Sequence, residues 1–165
     1  MKFTSVNELD SFEFHDAQIT NMKLVGSTMV WEMSCPYVTT ENSQNDHPAD
    51  MRIESAVLTF ENIVINQLEF SAYKLYTADR ELIESVDRAV AQEEDYADIL
   101  AESLSSYCYT YGMSDFLKID ENKYQTCFNV DGGAGDYYLT FTFSKATVEW
   151  DVYDKTYCES NNEES

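Results

Sequence analysis

Positive charge is what this chain has least of. Its 165 residues hold ten Lys and Arg against 31 Asp and Glu, a formal net charge of −21. Such a surface repels phosphate backbones and anionic headgroups, so direct binding to nucleic acid or to an anionic membrane is excluded as its function. Long apolar runs are missing too, and none approaches the ~18 residues that cross a bilayer. Glu8, Asp10 and Glu13 interrupt the stretch where a secretion signal needs an unbroken apolar segment. The four cysteines, Cys35, Cys108, Cys127 and Cys158, form no Cys-x-x-Cys pair, and with no export signal they are expected to be free thiols in a cytoplasmic protein. His15 and His47 are the only histidines, with no His-x-x-x-His spacing and no Asp-x-Asp-x-Asp-Gly loop, so neither a transition metal nor calcium is expected. No Gly-x-Ser-x-Gly elbow occurs, and paired carboxylates among 31 acids discriminate nothing. The expectation is a non-enzymatic chain with no cofactor.

Aromatic residues are abundant, with twelve Tyr, nine Phe and two Trp, more ring mass than a solvated chain carries. That predicts a folded single domain over residues 1–155, followed by a polar, acidic tail at 156–165 that frays. In the first part, Gln18–Val25 and Thr28–Ser34 read as strands joined by Gly26-Ser27, a two-residue hairpin. Met29, Trp31 and Met33 alternate with Val30 and Glu32, the period of a half-buried strand. The stretch 37–50 is rich in Thr, Asn, Ser and Asp and reads as a solvated, mobile loop. Residues 55–60 and 63–70 then read as a second hairpin or tight turn across Glu61-Asn62.

The middle changes period. From Asp79 to Leu104, apolar residues recur every three or four positions, predicting an amphipathic helix, or two helices divided at 92–95. Thr77 is the expected N-cap. This segment holds nine acids against Arg80 and Arg88, which is either a wet helix face or a charged docking surface. The last third returns to strands: Leu139, Phe141 and Phe143 alternate, then Val148, Trp150 and Val152, joined through 144–146 in what reads as a hairpin. The predicted class is α+β, a curved antiparallel sheet with one or two amphipathic helices packed on it.

Two features invite function. Asp131-Gly-Gly-Ala-Gly-Asp136 resembles a phosphate loop only superficially, because a strand and not a helix follows it. Its glycines are expected to supply positive φ in a turn. Tyr107, Tyr109 and Tyr111 alternate along one strand face. They are either core or a partner surface; as a surface they would give rigid contact area beside the acids Glu93, Glu94, Asp95 and Asp98. That combination suits a basic protein partner. The alternatives are a small-molecule or metal-binding domain using His15 or His47, and self-association through the tyrosine strand.

Phe14-His15-Asp16-Ala17-x-Ile19, together with the run Leu58–Phe70 and the pairs Phe141-x-Phe143 and Val148-x-Trp150, resembles small bacterial proteins that open with a Phe-His-Asp-Ala motif. Some of these are immunity proteins of polymorphic toxin systems. The resemblance implies an immunity-type role, and the acidic charge and tyrosines make a basic effector the expected partner. It does not extend to the acidic segment 77–105. From the residues alone, Phe14 to Ala17 are expected to be architectural, Asp16 bonding nearby amides and His15 cross-linking to a loop.

Overall fold

The computed structural model describes residues 1–154; the expected tail and Cys158 lie outside them. The chain begins with β1 (Phe3–Val6), a short 3-10 turn at Leu9–Ser11, β2 (Phe12–Glu13), β3 (Gln18–Val25), β4 (Thr28–Ser34), β5 (Tyr37–Val38) and β6 (Met51–Arg52). It continues through β7 (Ser55–Glu61), β8 (Val64–Phe70), β9 (Tyr73–Tyr76), β10 (Leu82–Val86) and β11 (Ala89–Val90). A 3-10 turn at Glu93–Asp95 leads into the helix α1 (Tyr96–Ser103). The last elements are β12 (Tyr109–Asp120), β13 (Lys123–Gly132), β14 (Gly135–Phe143) and β15 (Lys145–Trp150).

Ten strands form one antiparallel sheet in the order β1-β15-β7-β4-β3-β12-β13-β14-β8-β11. It is two leaves of five, joined at a narrow corner where β3 and β12 share the single pair Gln18 and Tyr109. The leaves pack face to face. Trp31 of β4 stands edge-on to Phe128 of β13 at 4.9 Å, and Phe60 of β7 meets Phe141 of β14 at 5.0 Å. One hydrophobic cluster runs through both inner faces, the arrangement expected when two half-buried sheets must cover each other.

The α+β expectation is therefore overturned: the protein is almost wholly β, and its one α-helix among the described residues has eight residues. The predicted helix over 79–104 survives only as α1. Upstream, Leu82 to Val86 form β10, which pairs with β9. Thr77, expected as a helix cap, closes the intervening turn. Its hydroxyl accepts from the Glu81 amide at 3.0 Å while its own amide donates to the Glu81 carbonyl at 2.8 Å. Leu82 to Ser85 are exposed, so no buried face imposes a period of two on this strand, and a register shift between Leu82 and Glu84 bulges it further.

The Gly26-Ser27 hairpin forms as expected, with Gly26 at φ 60°. Across Glu61-Asn62 the expected alternative of a tight strand-to-strand turn holds and the hairpin does not, and the hairpin expected through 144–146 does not form. β7 pairs with β4 and β15, while β8 pairs with β14 and β11, so Asn62-Ile63 carries the chain from one leaf to the other. Ser144 does the same between β14 and β15. These two crossings are tied together, Asn62 Nδ2 donating to Ser144 Oγ at 2.8 Å. The loop after β5, expected to be solvated, is instead pinned. Asn42 and Asn45 are buried; Asn42 Nδ2 donates to the Ser5 and Ser11 hydroxyls, and Asn45 Nδ2 to three backbone carbonyls. Glu8 accepts from the Ser5 and Ser43 hydroxyls and the Ser43 amide. Burial alone would raise its carboxyl, but those three bonds outweigh it and hold Glu8 below the usual range.

Candidate partner-binding surface

The Gly132–Gly135 turn sets the geometry of the most distinctive surface. Gly132 and Gly133 lie so close to the carbonyls of Ser103 and Glu102 and to the Ser105 side chain that no Cβ fits at either position. Only Gly135 has positive φ, at 113°, so two of these glycines serve close approach and not turn conformation. The Gly133 amide donates to the Ser103 carbonyl at 3.0 Å, and the Ser103 hydroxyl shares a buried 2.8 Å hydrogen bond with the Tyr137 phenol. Burial carries that phenol above its ordinary range. The C-terminal end of α1 is thereby fixed to β13 and β14.

With α1 held there, Asp95, Asp98 and Glu102 fall on one side of it by their spacing of three and four. They rim a cleft of about 390 Å³ whose apolar walls are Phe70, Ile99 and Ala134. A second cleft, of about 410 Å³, shares Phe70 and Ala134 and is walled beyond them by Tyr73, Val86 and Ala89. Asp87 and Asp136 stand on its edge. The two clefts adjoin at Phe70 and Ala134, and carboxylates line both; together they are termed the groove.

Of the acids singled out in the sequence, the structure brings Asp95 and Asp98 to this groove. Glu93 lines a different cleft, with Leu24, Ile63, Tyr96 and Ala97, and Glu94 is exposed. Asp87 and Glu102 belong to the nine acids of segment 79–104, whereas Phe70, Ala134 and Asp136 are not among the site residues expected from the sequence. The glycine cluster was the available signal for them, since glycines without positive φ mark places where another segment comes close.

The tyrosine ladder is a separate surface feature. Tyr107 and Tyr111 are 61% and 42% exposed, which rules out the core reading. The three rings follow one another at centroid distances of 5.7 and 5.1 Å. The Tyr109 and Tyr111 hydroxyls lie 2.9 Å apart, and both donate to Asp131 Oδ2, at 3.0 and 3.1 Å. Hydrogen bonds to Tyr111 and then to Asp131 hold the Tyr109 phenol above its ordinary range. Asp131 directly precedes Gly132, so ladder and groove are anchored by the same end of β13.

The Phe14–Ala17 segment builds the corner between the leaves. Phe14 and Ala17 are buried. Asp16, at φ 60°, donates its amide to the Thr110 carbonyl, and the Ala17 carbonyl accepts from the Thr110 amide. The exposed His15 ring bonds the Tyr111 carbonyl through Nδ1 at 2.8 Å and faces Asp16 through Nε2 at 3.4 Å. Cys35 lines a cleft with His15, and its sulfur accepts from Arg52 Nη2 at 2.8 Å. His47 packs edge-on against Tyr153 and shares no cleft with His15. Among the described residues there is no group of three His, Cys, Asp or Glu side chains placed to hold a metal, and no helix long and apolar enough to cross a membrane. The described cysteines are unpaired.

No family model, curated protein or solved structure matches the chain. Fold and surface define a two-leaved β-protein with an acid-rimmed apolar groove.

Proposed function

We propose that this chain is a non-catalytic cytoplasmic binding protein that captures a basic polypeptide, in the manner of an immunity protein neutralising a toxic effector. The observation that carries the reading is the groove, in which Asp95, Asp98 and Glu102, with Asp87 and Asp136 further along, edge a floor of Phe70, Ile99 and Ala134. Carboxylates around an apolar strip complement a segment in which Lys or Arg flanks large apolar residues. The net charge of −21 accelerates encounter with such a partner, and the buried apolar contacts slow its release. The tyrosine ladder extends the contact area from the same end of β13. Unpaired thiols suit a reducing compartment, and the Phe-His-Asp-Ala resemblance supports the immunity role.

The test is affinity capture by the immobilised chain, elution with a salt step, and titration of the recovered protein against Asp95→Asn/Asp98→Asn/Glu102→Gln. A basic partner bound about tenfold more weakly by the triple variant fits the proposal, three exposed charges together contributing about 1.4 kcal/mol. A partner whose affinity ignores the triple variant contradicts it.

A further inference from the structure

Arg52 of β6 joins two distant parts of the chain through one guanidinium. Its Nη2 donates to Cys35 Sγ at 2.8 Å, and its Nη1 faces Asp154 Oδ2 at 3.4 Å. Backbone bonds fix the same neighbourhood: the Cys35 amide donates to the Glu54 carbonyl at 3.3 Å, and the Asp154 amide to the Arg52 carbonyl at 2.9 Å. The bond to the sulfur holds the Arg52 guanidinium above its ordinary range. Cys35 is partly exposed and opens onto a cleft of about 460 Å³ that shares no lining residue with the groove. Thiols that react with oxidants combine access to solvent with a neighbouring cation, because the sulfur attacks as the thiolate. Of the described cysteines, Cys35 is the one with both. Cys108 is buried, and Cys127 lies within β13, opposite Ser114 of β12 and Thr140 of β14.

Chain length supplies a second thiol. Cys158, beyond the described residues, follows Asp154 by four residues, a stretch that spans up to about 13 Å. Asp154 and Cys35 meet on the same guanidinium, and a disulfide needs Cα atoms only about 6 Å apart. Cys158 is therefore within reach of Cys35. We propose that Cys35 is a site of oxidation by hydrogen peroxide and that Cys158 is the thiol that resolves it, closing a disulfide beside Arg52. In the first step the Cys35 sulfur attacks the peroxide, the O–O bond breaks, and a sulfenic acid and one water result. In the second, the Cys158 sulfur attacks the Cys35 sulfur, the S–O bond breaks, and the hydroxyl leaves with the Cys158 proton as a second water. The two thiols lose two electrons, and one peroxide is reduced to two waters. A thiol reductant reverses the link by exchange.

The test treats the reduced full chain with one equivalent of hydrogen peroxide, alkylates it without reduction, and reads it by intact mass and peptide mapping. The expected product is a monomer lighter by two hydrogens, with the Cys35 peptide linked to the Cys158 peptide, and dithiothreitol restores both thiols. Cys158→Ser is expected to stop at the sulfenic acid, trapped on Cys35 by dimedone. Arg52→Gln is expected to slow modification of Cys35 about tenfold while Cys127 keeps its wild-type rate, which shows that the variant is folded. Cys158→Ser alters no described residue and tests the pairing whatever Arg52→Gln does to the fold. The proposal is overturned if Cys35 stays reduced while Cys108 or Cys127 is oxidised, or if Cys35 ends unlinked or linked to any thiol other than Cys158 of the same chain. An Arg52→Gln variant that keeps the wild-type rate at Cys35 overturns it as well.

Discussion

Thr126 is fully buried in β13, and its hydroxyl has no hydrogen-bond partner among the described residues. An unpaired buried hydroxyl costs about 1 kcal/mol or more, and valine has nearly the same shape without it. Thr126→Val should therefore raise stability by about 1 kcal/mol in chemical denaturation, although the same exchange usually destabilises where the hydroxyl is bonded. Cys108 answers to pH. Burial, reinforced by the Asp131 charge, pushes its thiol up from 9.0 to about 11. A group whose value is raised on folding contributes stability that is complete below its unfolded value and lost as pH rises through the folded one. The melting temperature should accordingly hold up to about pH 9 and fall between there and about pH 11, and Cys108→Ala should flatten part of that fall. Tyr109 and Tyr137, also raised, act in the same direction.

Among the elements, the junction of α1 with the Gly132–Gly135 turn governs the groove. Gly133→Ala drives a methyl into the Glu102 carbonyl and the Ser105 side chain. It should lower stability by about 2 kcal/mol, and hydrogen exchange should quicken in α1 before it does in the leaves. This scale also shows what the sequence discloses. The Gly26-Ser27 hairpin was legible to the residue because a two-residue turn with positive φ at Gly26 is a local signal. Strand alternation in 139–143 and 148–150 was legible too, and Leu139, Phe141, Phe143, Val148 and Trp150 are all buried, whereas Val152, expected on the same face, lies beyond β15 and is 45% exposed. Their pairing was not legible. A strand that turns back beside its neighbour and one that crosses to the opposite leaf bury the same alternate residues, so the local pattern is identical. In the segment 79–104, an exposed hairpin strand with no buried face to enforce alternation, and a Thr77 that bonds backbone in a turn as it would in a helix cap, reproduce helical signals. Of the candidate site, the acids were visible by composition. Their convergence on Phe70 and Ala134 was not, because it depends on contacts between segments distant in sequence.

At the scale of the whole molecule, two leaves sharing an aromatic core leave the exterior to carboxylates. On the proposed reading, the groove's affinity for a basic partner is expected to fall as ions screen its carboxylates. On that reading, removing acids outside the groove is expected to slow association more than it speeds release. The most direct measurement is a titration, from low to physiological salt, of a fluorescent peptide in which lysines flank leucine and phenylalanine, against the wild-type chain and Asp95→Asn/Asp98→Asn/Glu102→Gln. The account predicts saturable binding to the wild type that weakens steadily with salt and is about tenfold weaker, with a shallower salt slope, in the triple variant. Binding that is equally tight in both proteins, or insensitive to salt, would contradict it.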